Sequence, residues 1–180
     1  ADLGYYVTGS GATTQTACDL GTYQNNTGQT SCLTAAAGNY VAVLGATNQT
    51  ACAPGTYQPS IGQTSCITTD AGNYSGSGAT TQTACAPGTY QPSTGQPTCL
   101  NADPGNYVAG SGATNQIACS AGTYNPNTAS TSSSDCITAD VGYYSSAGAA
   151  SPTAASAGHY VGITGATNQT ACPAGTYNPN

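Results

Sequence analysis

The sequence predicts an all-β or irregular, small disulfide-rich fold, a tandem array of hairpin-like half-repeats forming an elongated rod. Each half-repeat has ~17 residues and each full repeat ~34. Three observations predict this fold: a recurring Gly-x-Tyr motif, regularly spaced cysteines and very few large apolar side chains. A fixed short period is typical of repeat proteins, in which each unit contacts only its neighbours. The motif tyrosines, which we assign to packing between repeats, are Tyr6, Tyr23, Tyr40, Tyr57, Tyr74, Tyr90, Tyr107, Tyr124, Tyr144, Tyr160 and Tyr177.

The composition is too poor in apolar side chains for one large core. Leu, Ile and Val total 16 of 180 residues, and Phe, Trp and Met are absent. Such a chain cannot offset its conformational entropy by burying a single core. Disorder is the alternative interpretation. Nine cysteines and thirteen tyrosines argue against disorder, because they supply covalent links and apolar area.

The charge pattern excludes several classes of partner. The chain has no Lys, Arg or Glu, and its six acidic residues are all Asp. A nucleic-acid footprint and a cationic membrane patch both need clustered basic residues. No stretch approaches the length of apolar residues that spans a membrane. We therefore expect neither nucleic-acid binding nor membrane insertion, and we expect self-association or continuation in a longer chain.

A first kind of half-repeat reads C-x-x-G-T-Y-x-x-x-x-G-Q-x-x-C. It begins at Cys18, Cys52 and Cys85, and a longer version runs from Cys119 to Cys136. A Tyr-containing segment is followed by turn residues such as P-S-T-G and then by a Thr-rich segment. Thr and Tyr favour strands, while Pro, Gly and Asn supply turn geometry. The pattern indicates a hairpin, with irregular loops held by disulfides as the alternative.

A second kind of half-repeat reads G-x-Y-V-A-x-x-G-A-T-x-Q-T-A and leads into the next cysteine. Its copies are GYYVTGSGATTQTA, GNYVAVLGATNQTA, GNYSGSGATTQTA, GNYVAGSGATNQIA and GHYVGITGATNQTA. It has the same strand–turn–strand pattern, without cysteines of its own. No segment shows a helical apolar stripe, and glycine recurs too often for long helices.

The two kinds alternate until about residue 142, where two halves of the second kind follow each other. Ala155 stands there where a cysteine is expected. Both chain ends resemble cuts through a continuing array. The predicted organisation is a partial repeat at 1–17, repeats at 18–51, 52–84 and 85–118, an irregular repeat with an extra half at 119–171, and the start of a truncated repeat at 172–180.

Two disulfide pairings fit the cysteine spacing. In the first, each half of the first kind closes on itself, pairing Cys18 with Cys32, Cys52 with Cys66, Cys85 with Cys99 and Cys119 with Cys136, and leaving Cys172 unpaired. In the second, Cys32 pairs with Cys52 and so on along the chain. The first is preferred because its loops are nearly uniform in length. Sequence alone does not fix the connectivity. Abundant cysteine in a chain of small residues points to an oxidising compartment, either secreted or at the cell surface.

The first kind of half-repeat, C-x-x-G-T-Y-Q-P-S-T-G-Q-x-x-C, resembles the ephrin-receptor-like cysteine-rich repeat of GCC2/GCC3 type, as found in large repetitive microbial or protist surface proteins. The resemblance covers about half of the chain. It implies an extracellular, disulfide-linked, elongated module and no catalytic activity. The chain departs from the family pattern by carrying one cysteine pair per full repeat.

Other recurring residues have structural and functional interpretations. The tyrosine column could bind glycans, but packing against the next repeat is favoured because other large side chains are so scarce. Asp2, Asp70, Asp103 and Asp140 recur in D-x-G-x-Y. A calcium site needs several converging acids, so a turn role is favoured over metal binding. His159 occupies a variable position of G-x-Y, and we expect it to be exposed.

Four N-x-S/T sequons are candidate N-glycosylation sites, at Asn25, Asn48, Asn73 and Asn168. Such sequons also arise by chance in a sequence rich in Asn and Thr. We predict no metal or cofactor site and no catalytic residues, because the chain lacks a nucleophile–base set, a phosphate-binding loop and zinc-ligand spacing.

The sequence therefore predicts a non-enzymatic structural segment of an extracellular fibre, filament or cell-surface stalk. A glycan coat is part of this hypothesis. One alternative is an adhesin-type arm that binds glycans or proteins. A less favoured alternative is an ice-binding protein, since Thr-rich repeats recur but lack a strict T-x-T ladder.

Overall fold

The computed structural model describes residues 1–179, and Asn180, the last residue of the predicted segment 172–180, lies outside them. Twenty strands of two residues pair in chain order into ten antiparallel hairpins, and the described residues contain no α-helix. The prediction of an all-β, disulfide-rich repeat array is confirmed. The strands are β1 Tyr5–Tyr6, β2 Thr16–Ala17, β3 Thr22–Tyr23, β4 Leu33–Thr34, β5 Asn39–Tyr40, β6 Thr50–Ala51, β7 Thr56–Tyr57, β8 Ile67–Thr68, β9 Asn73–Tyr74, β10 Thr83–Ala84, β11 Thr89–Tyr90, β12 Leu100–Asn101, β13 Asn106–Tyr107, β14 Ile117–Ala118, β15 Thr123–Tyr124, β16 Ile137–Thr138, β17 Tyr143–Tyr144, β18 Thr153–Ala154, β19 His159–Tyr160 and β20 Thr170–Ala171.

Within each hairpin the motif tyrosine ends the first strand and faces the first residue of the second strand. Tyr23 pairs with Leu33 in a half of the first kind, and Tyr40 pairs with Thr50 in a half of the second kind. The glycine before each first strand has a positive φ, 75° at Gly21. Only glycine adopts this conformation without strain, so the G-x-Y motif fixes where each hairpin begins.

Backbone hydrogen bonds join consecutive hairpins, as between the second and the third. Gly21 N–H donates to the Val41 carbonyl at 2.9 Å, and the turn residue Gly45 donates back to the Cys18 carbonyl at 2.8 Å. The same pair of bonds recurs where Gly122 donates to Ser145. These bonds satisfy peptide groups that two-residue strands leave unpaired, so the array compensates for its short strands.

The buried side chains are mostly small and recur at equivalent positions of the half-repeats, rather than forming one apolar cluster. From the second to the tenth half-repeat, the first residue is buried, and so is the residue that follows the motif tyrosine. Two apolar clusters show this pattern. The first consists of Ala35, Val41 and Ala46, packed against Tyr23. The other cluster consists of Ala155, Val161 and Ala166, packed against Tyr144.

Half-repeats also contact the next but one, which corrects the expectation that each unit contacts only its neighbours. A Cβ placed on Gly21 would overlap the carbonyl oxygen of Gly62, two hairpins further along the chain. The same overlap would occur between Gly105 and Gly148. The physical reason is the absence of a side chain at the G-x-Y glycine, which allows the later turn to approach the backbone directly.

The chain divides into two compact units. The first contains Ala1–Ala84 and Ser93–Thr98, and the second contains Cys85–Pro92 with the described residues that follow Thr98. Within each unit the hairpins repeat the hydrogen bonds described above. The repeat boundaries predicted from the sequence remain predictions.

Candidate functional site

Four disulfides staple the halves of the first kind. They join Cys18 to Cys32, Cys52 to Cys66, Cys85 to Cys99 and Cys119 to Cys136, each with a Cα–Cα distance of 5.8 Å. Each bond links the start of a half-repeat to the residue just before its second strand. The structure thus has the pairing in which each half of the first kind closes on itself. Cys172 is a half-buried free thiol.

Alanine, or threonine at Thr69, takes the place of the first cysteine in the halves that lack a disulfide. Ala139 and Ala155 occupy the same buried position as Cys119, with 0% and 5% of their surface exposed. Pro152 precedes β18 where the partner cysteine would stand. The two consecutive hairpins of residues 139–171 therefore contain no disulfide.

The motif tyrosines are half-buried over most of the array. They lie on the first strand of each hairpin, and Tyr23 and Tyr144 pack against the apolar clusters of the following half-repeats. Tyr160 is 44% exposed, and Tyr177 is 85% exposed and lies outside a strand. The rings of Tyr23 and Tyr144 therefore cover small buried residues of the next half-repeat.

Three of the four aspartates of D-x-G-x-Y, Asp2, Asp70 and Asp103, bind a glutamine across the hairpin, an interaction that the sequence analysis missed. Asp70 N–H donates to Gln82 Oε1 at 2.8 Å, and Gln82 Nε2 donates to Asp70 Oδ2 at 2.7 Å. Asp103 makes the same pair of bonds with Gln116. At Ala36 only the backbone bond to Gln49 remains. The recurrence of Gln in Q-T-A, even where Asp is absent, was the available signal.

Each of these Asp–Gln pairs lies within its own hairpin, so the paired aspartates do not come together at one site. Among residues 1–179, no group of three or more His, Cys, Asp or Glu side chains is arranged to hold a metal ion. His159 is half-buried rather than exposed, and its Nδ1 lies 3.3 Å from the Ala157 carbonyl. The bonded carboxylates link the two sides of their hairpins. The turn role favoured from the sequence is thus carried out by an Asp–Gln pair of hydrogen bonds, the cross-hairpin clamp.

Halves of the first kind bury a polar side chain after the motif tyrosine. Gln58 is 5% exposed, and its Nε2 donates to the Ser65 carbonyl at 2.8 Å while its Oε1 accepts from Ser60 N–H at 3.1 Å. Both ends of the amide thus hold the turn of its own half-repeat. A buried amide with both ends bonded fixes one loop conformation.

The sequons differ in accessibility. Asn25, Asn48 and Asn168 are exposed, and all three lie outside strands. Asn73 lies in β9 and is half-buried, with its Nδ2 donating to the Ala71 carbonyl at 3.3 Å. Its sequon hydroxyl, on Ser75, is 2% exposed and donates to the Thr56 carbonyl.

A shallow groove of about 250 Å³ lies between the first and second hairpins. Tyr6, Asp19, Thr22, Ser31 and Cys32 line it. Asp19 is exposed, and its carboxylate has no hydrogen-bond partner within residues 1–179. The groove therefore combines an aromatic side chain with an exposed carboxylate.

None of the described residues forms a helix long and apolar enough to cross a membrane.

Residues 4–52 and 72–119, more than half of the chain, match the model of the family described as tyrosine-protein kinase ephrin type A/B receptor-like. No curated protein sequence matches the chain significantly. The matched segments contain the C-x-x-G-T-Y halves and their flanking halves of the second kind. The chain belongs to this ephrin-receptor-like family, and the resemblance of its cysteine-rich repeat is confirmed.

Proposed function

We propose that this member of the ephrin-receptor-like family is a structural segment of an extracellular fibre, filament or cell-surface stalk. The observation that carries the proposal is the repetition of the same backbone hydrogen bonds from one hairpin to the next, as from Gly21 to Val41 and from Gly122 to Ser145. Contacts of this kind propagate along a chain without converging on a single site. Repeat architectures of this kind serve as spacers and scaffolds.

The disulfides support an extracellular position. Four of them occur among 180 residues, and such bonds persist in oxidising compartments. In the chain-entropy model, closing a loop of about 15 residues stabilises the folded state by about 3 kcal/mol. That contribution is large for a chain with so few aliphatic side chains.

The chemical inventory supports a role without catalysis. The carboxylates of Asp2, Asp70 and Asp103 are engaged by glutamines, and the chain has one histidine and no basic side chain. General acid–base or nucleophilic catalysis needs groups of matched pKa in mutual contact. We therefore include the absence of enzymatic activity in the proposal.

The low charge supports assembly with further repeats or with copies of the same chain. The formal net charge of −6 is spread over 180 residues, so neighbouring arrays repel one another weakly. Residues such as Leu44 and Ile61, 66% and 65% exposed, offer apolar contacts. Self-association remains part of the proposal.

Small-angle X-ray scattering of the oxidised chain tests the proposed elongated form. A compact globular protein of 180 residues has a radius of gyration of about 16 Å, and an unfolded one about 45 Å. A rod-like array should lie clearly between these values and move toward the unfolded value on reduction. A radius near 16 Å would contradict the stalk or fibre proposal.

The groove beside Tyr6 favours a second candidate, a binding arm for glycans. Aromatic faces stack on sugar rings, and a carboxylate such as that of Asp19 accepts hydrogen bonds from sugar hydroxyls. Glycan-array binding that is lost in Tyr6→Ala and kept in Tyr57→Ala would support this candidate. Equal binding by both variants, or no binding by the parent chain, would exclude the groove as a glycan-binding site.

A further inference from the structure

We propose that Asn25, Asn48 and Asn168 are N-glycan attachment sites and that the fold excludes Asn73. The inference rests on the extracellular position in the proposed function. It goes beyond the sequon pattern, because that pattern treats the four asparagines alike. The structure separates them by exposure and by the hydrogen bonds of the sequon hydroxyl.

Attachment requires an asparagine side chain and a hydroxyl two residues later that are both accessible to a transferase. Asn48 and Asn168 occupy the same position in two halves of the second kind, directly before β6 and β20. Their hydroxyl partners Thr50 and Thr170 are exposed, as is Thr27 in the Asn25 sequon. All three sequons thus present both required groups to solvent.

Asn73 fails on both groups. Its side chain donates to the Ala71 carbonyl, and Ser75 is 2% exposed with its hydroxyl 3.0 Å from the Thr56 carbonyl of the preceding hairpin. A glycan attached to Asn73 would have to extend outward from the half-buried start of β9. In the folded hairpin, the Asn73 sequon therefore does not present an accessible hydroxyl to a transferase.

A second, independent pattern supports the two sites in halves of the second kind. Val43 and Leu44 form an exposed apolar turn before Asn48, and Ile163 does so before Asn168, with exposures of 62%, 66% and 69%. The other halves of the second kind have turns of Gly, Ser, Ala and Thr, and their equivalent positions carry no sequon. A glycan at Asn48 or Asn168 would therefore shield the only aliphatic turns of this kind of half-repeat.

The chain contains a matched control at Asn115. This residue has the same position in A-T-N-Q and is exposed, but Ile117 stands where Thr50 and Thr170 lie. The change Ile117→Thr completes a sequon without altering the turn. It should therefore create a new attachment site at Asn115.

The test is expression of the full chain through a eukaryotic secretory pathway, followed by cleavage after tyrosine and mass spectrometry. After reduction of the disulfides, which include the bond from Cys52 to Cys66, cleavage at Tyr23, Tyr40, Tyr57 and Tyr74 places Asn25, Asn48 and Asn73 on separate peptides, and Asn168 falls between Tyr160 and Tyr177. We expect glycans on Asn25, Asn48 and Asn168, none on Asn73, and an added glycan at Asn115 in Ile117→Thr. Comparable occupancy of Asn73 in folded, secreted protein, or unmodified exposed sequons, would overturn the inference.

A purified system separates this inference from the proposed function. A soluble N-glycosyltransferase is given the refolded, oxidised chain and the reduced, denatured chain. Asn73 should react only in the denatured chain, while the three exposed sites react in both. Failure of the chain to be secreted with its disulfides formed would count against the extracellular proposal, whereas reaction of Asn73 in the oxidised chain would count against the attachment sites.

Discussion

The Cα of Gly21 lies against the carbonyl oxygen of Gly62, two hairpins further along the chain, with no room for a side chain between them. Gly21 also has a positive φ of 75° and donates its N–H to Val41. Gly21 thus begins its own hairpin, donates a hydrogen bond to the following hairpin and leaves room for the turn of the hairpin after that. These requirements explain the recurrence of G-x-Y: the positive φ is present in all ten hairpins, and the close approach is present at glycines such as Gly38 and Gly105 but not at Gly142.

The first prediction concerns this glycine. Gly21→Ala should destabilise the chain by about 1–3 kcal/mol more than Gly28→Ala, because overpacking adds to the strain of a positive φ. Gly28 is the matched control: its φ is 71°, and no described atom comes within 4 Å of a Cβ placed on it. Denaturant midpoints of the two variants compare the effects. Equal losses would show that the close approach to Gly62 contributes nothing.

The second prediction concerns the one non-glycine residue in the left-handed region. Ala129 has a φ of 55° at the position of the turn glycines and donates its N–H to the Ala102 carbonyl. Ala129→Gly should stabilise the chain by about 1 kcal/mol, because a left-handed conformation is costly for L-residues. Ala150→Gly, at an exposed residue of the same unit, should be neutral or destabilising. Thermal unfolding compares the stability of the two variants. A loss of stability in Ala129→Gly would show that the left-handed conformation of Ala129 is not strained.

The third prediction completes a missing clamp. Ala36 N–H already donates to Gln49 Oε1 at 2.7 Å, so Ala36→Asp should add the side-chain bond that Gln82 makes to Asp70. We expect a gain of about 0.5–1.5 kcal/mol, the usual net value of one hydrogen bond. In an Ala36→Asp, Gln49→Ala double mutant the gain should disappear. If the gain persists in the double mutant, the carboxylate acts without Gln49.

The fourth prediction concerns the hairpins without disulfides. Gly21 and Gly142 make equivalent 2.9 Å bonds to Val41 and Val161, but only the half containing Gly21 is closed by a disulfide. The amide of Gly142 should therefore exchange with solvent faster, because local opening is easier without the cross-link. Native-state hydrogen exchange measures both amides in one experiment. Equal protection would mean that backbone bonding alone sets local stability.

An engineered staple extends that comparison. Ala139→Cys with Pro152→Cys, in a Cys172→Ser background, places cysteines where Cys119 and Cys136 stand in the preceding half. The new bond should slow the exchange of Gly142 and stabilise the segment by up to about 3 kcal/mol. Reduction should reverse the effect, which separates the bond from the substitutions. Unchanged exchange in the oxidised form would contradict the equivalence of these positions.

Much of the fold could be predicted because the pattern is local and repeated. The G-T-Y and Q-T-A segments mark the two strands of each hairpin, and equal loop lengths favour closure of Cys52 on Cys66. Turn residues and strand propensity are sequence-local properties, and repetition reduces their uncertainty. Three copies of one cysteine spacing, with a longer fourth, are more informative than a single copy.

The remaining features depend on distance in space rather than on neighbours in sequence. The approach of Gly62 to Gly21 spans 41 residues, and no side chain in the sequence marks it. The Asp70–Gln82 clamp left a signal in the recurring glutamine, but recognising it required knowing that both residues face each other across a hairpin. The four sequons are alike in sequence, and the half-burial of Asn73 together with the burial of Ser75 separates that sequon from the others.

The most direct test of the central claim, that the chain is a stapled structural array, is negative-stain electron microscopy of the oxidised and reduced protein. The account predicts narrow, uniform rods or fibres in the oxidised sample and their loss after reduction of the bonds such as that between Cys52 and Cys66. Compact round particles, or rods that survive complete reduction unchanged, would contradict it.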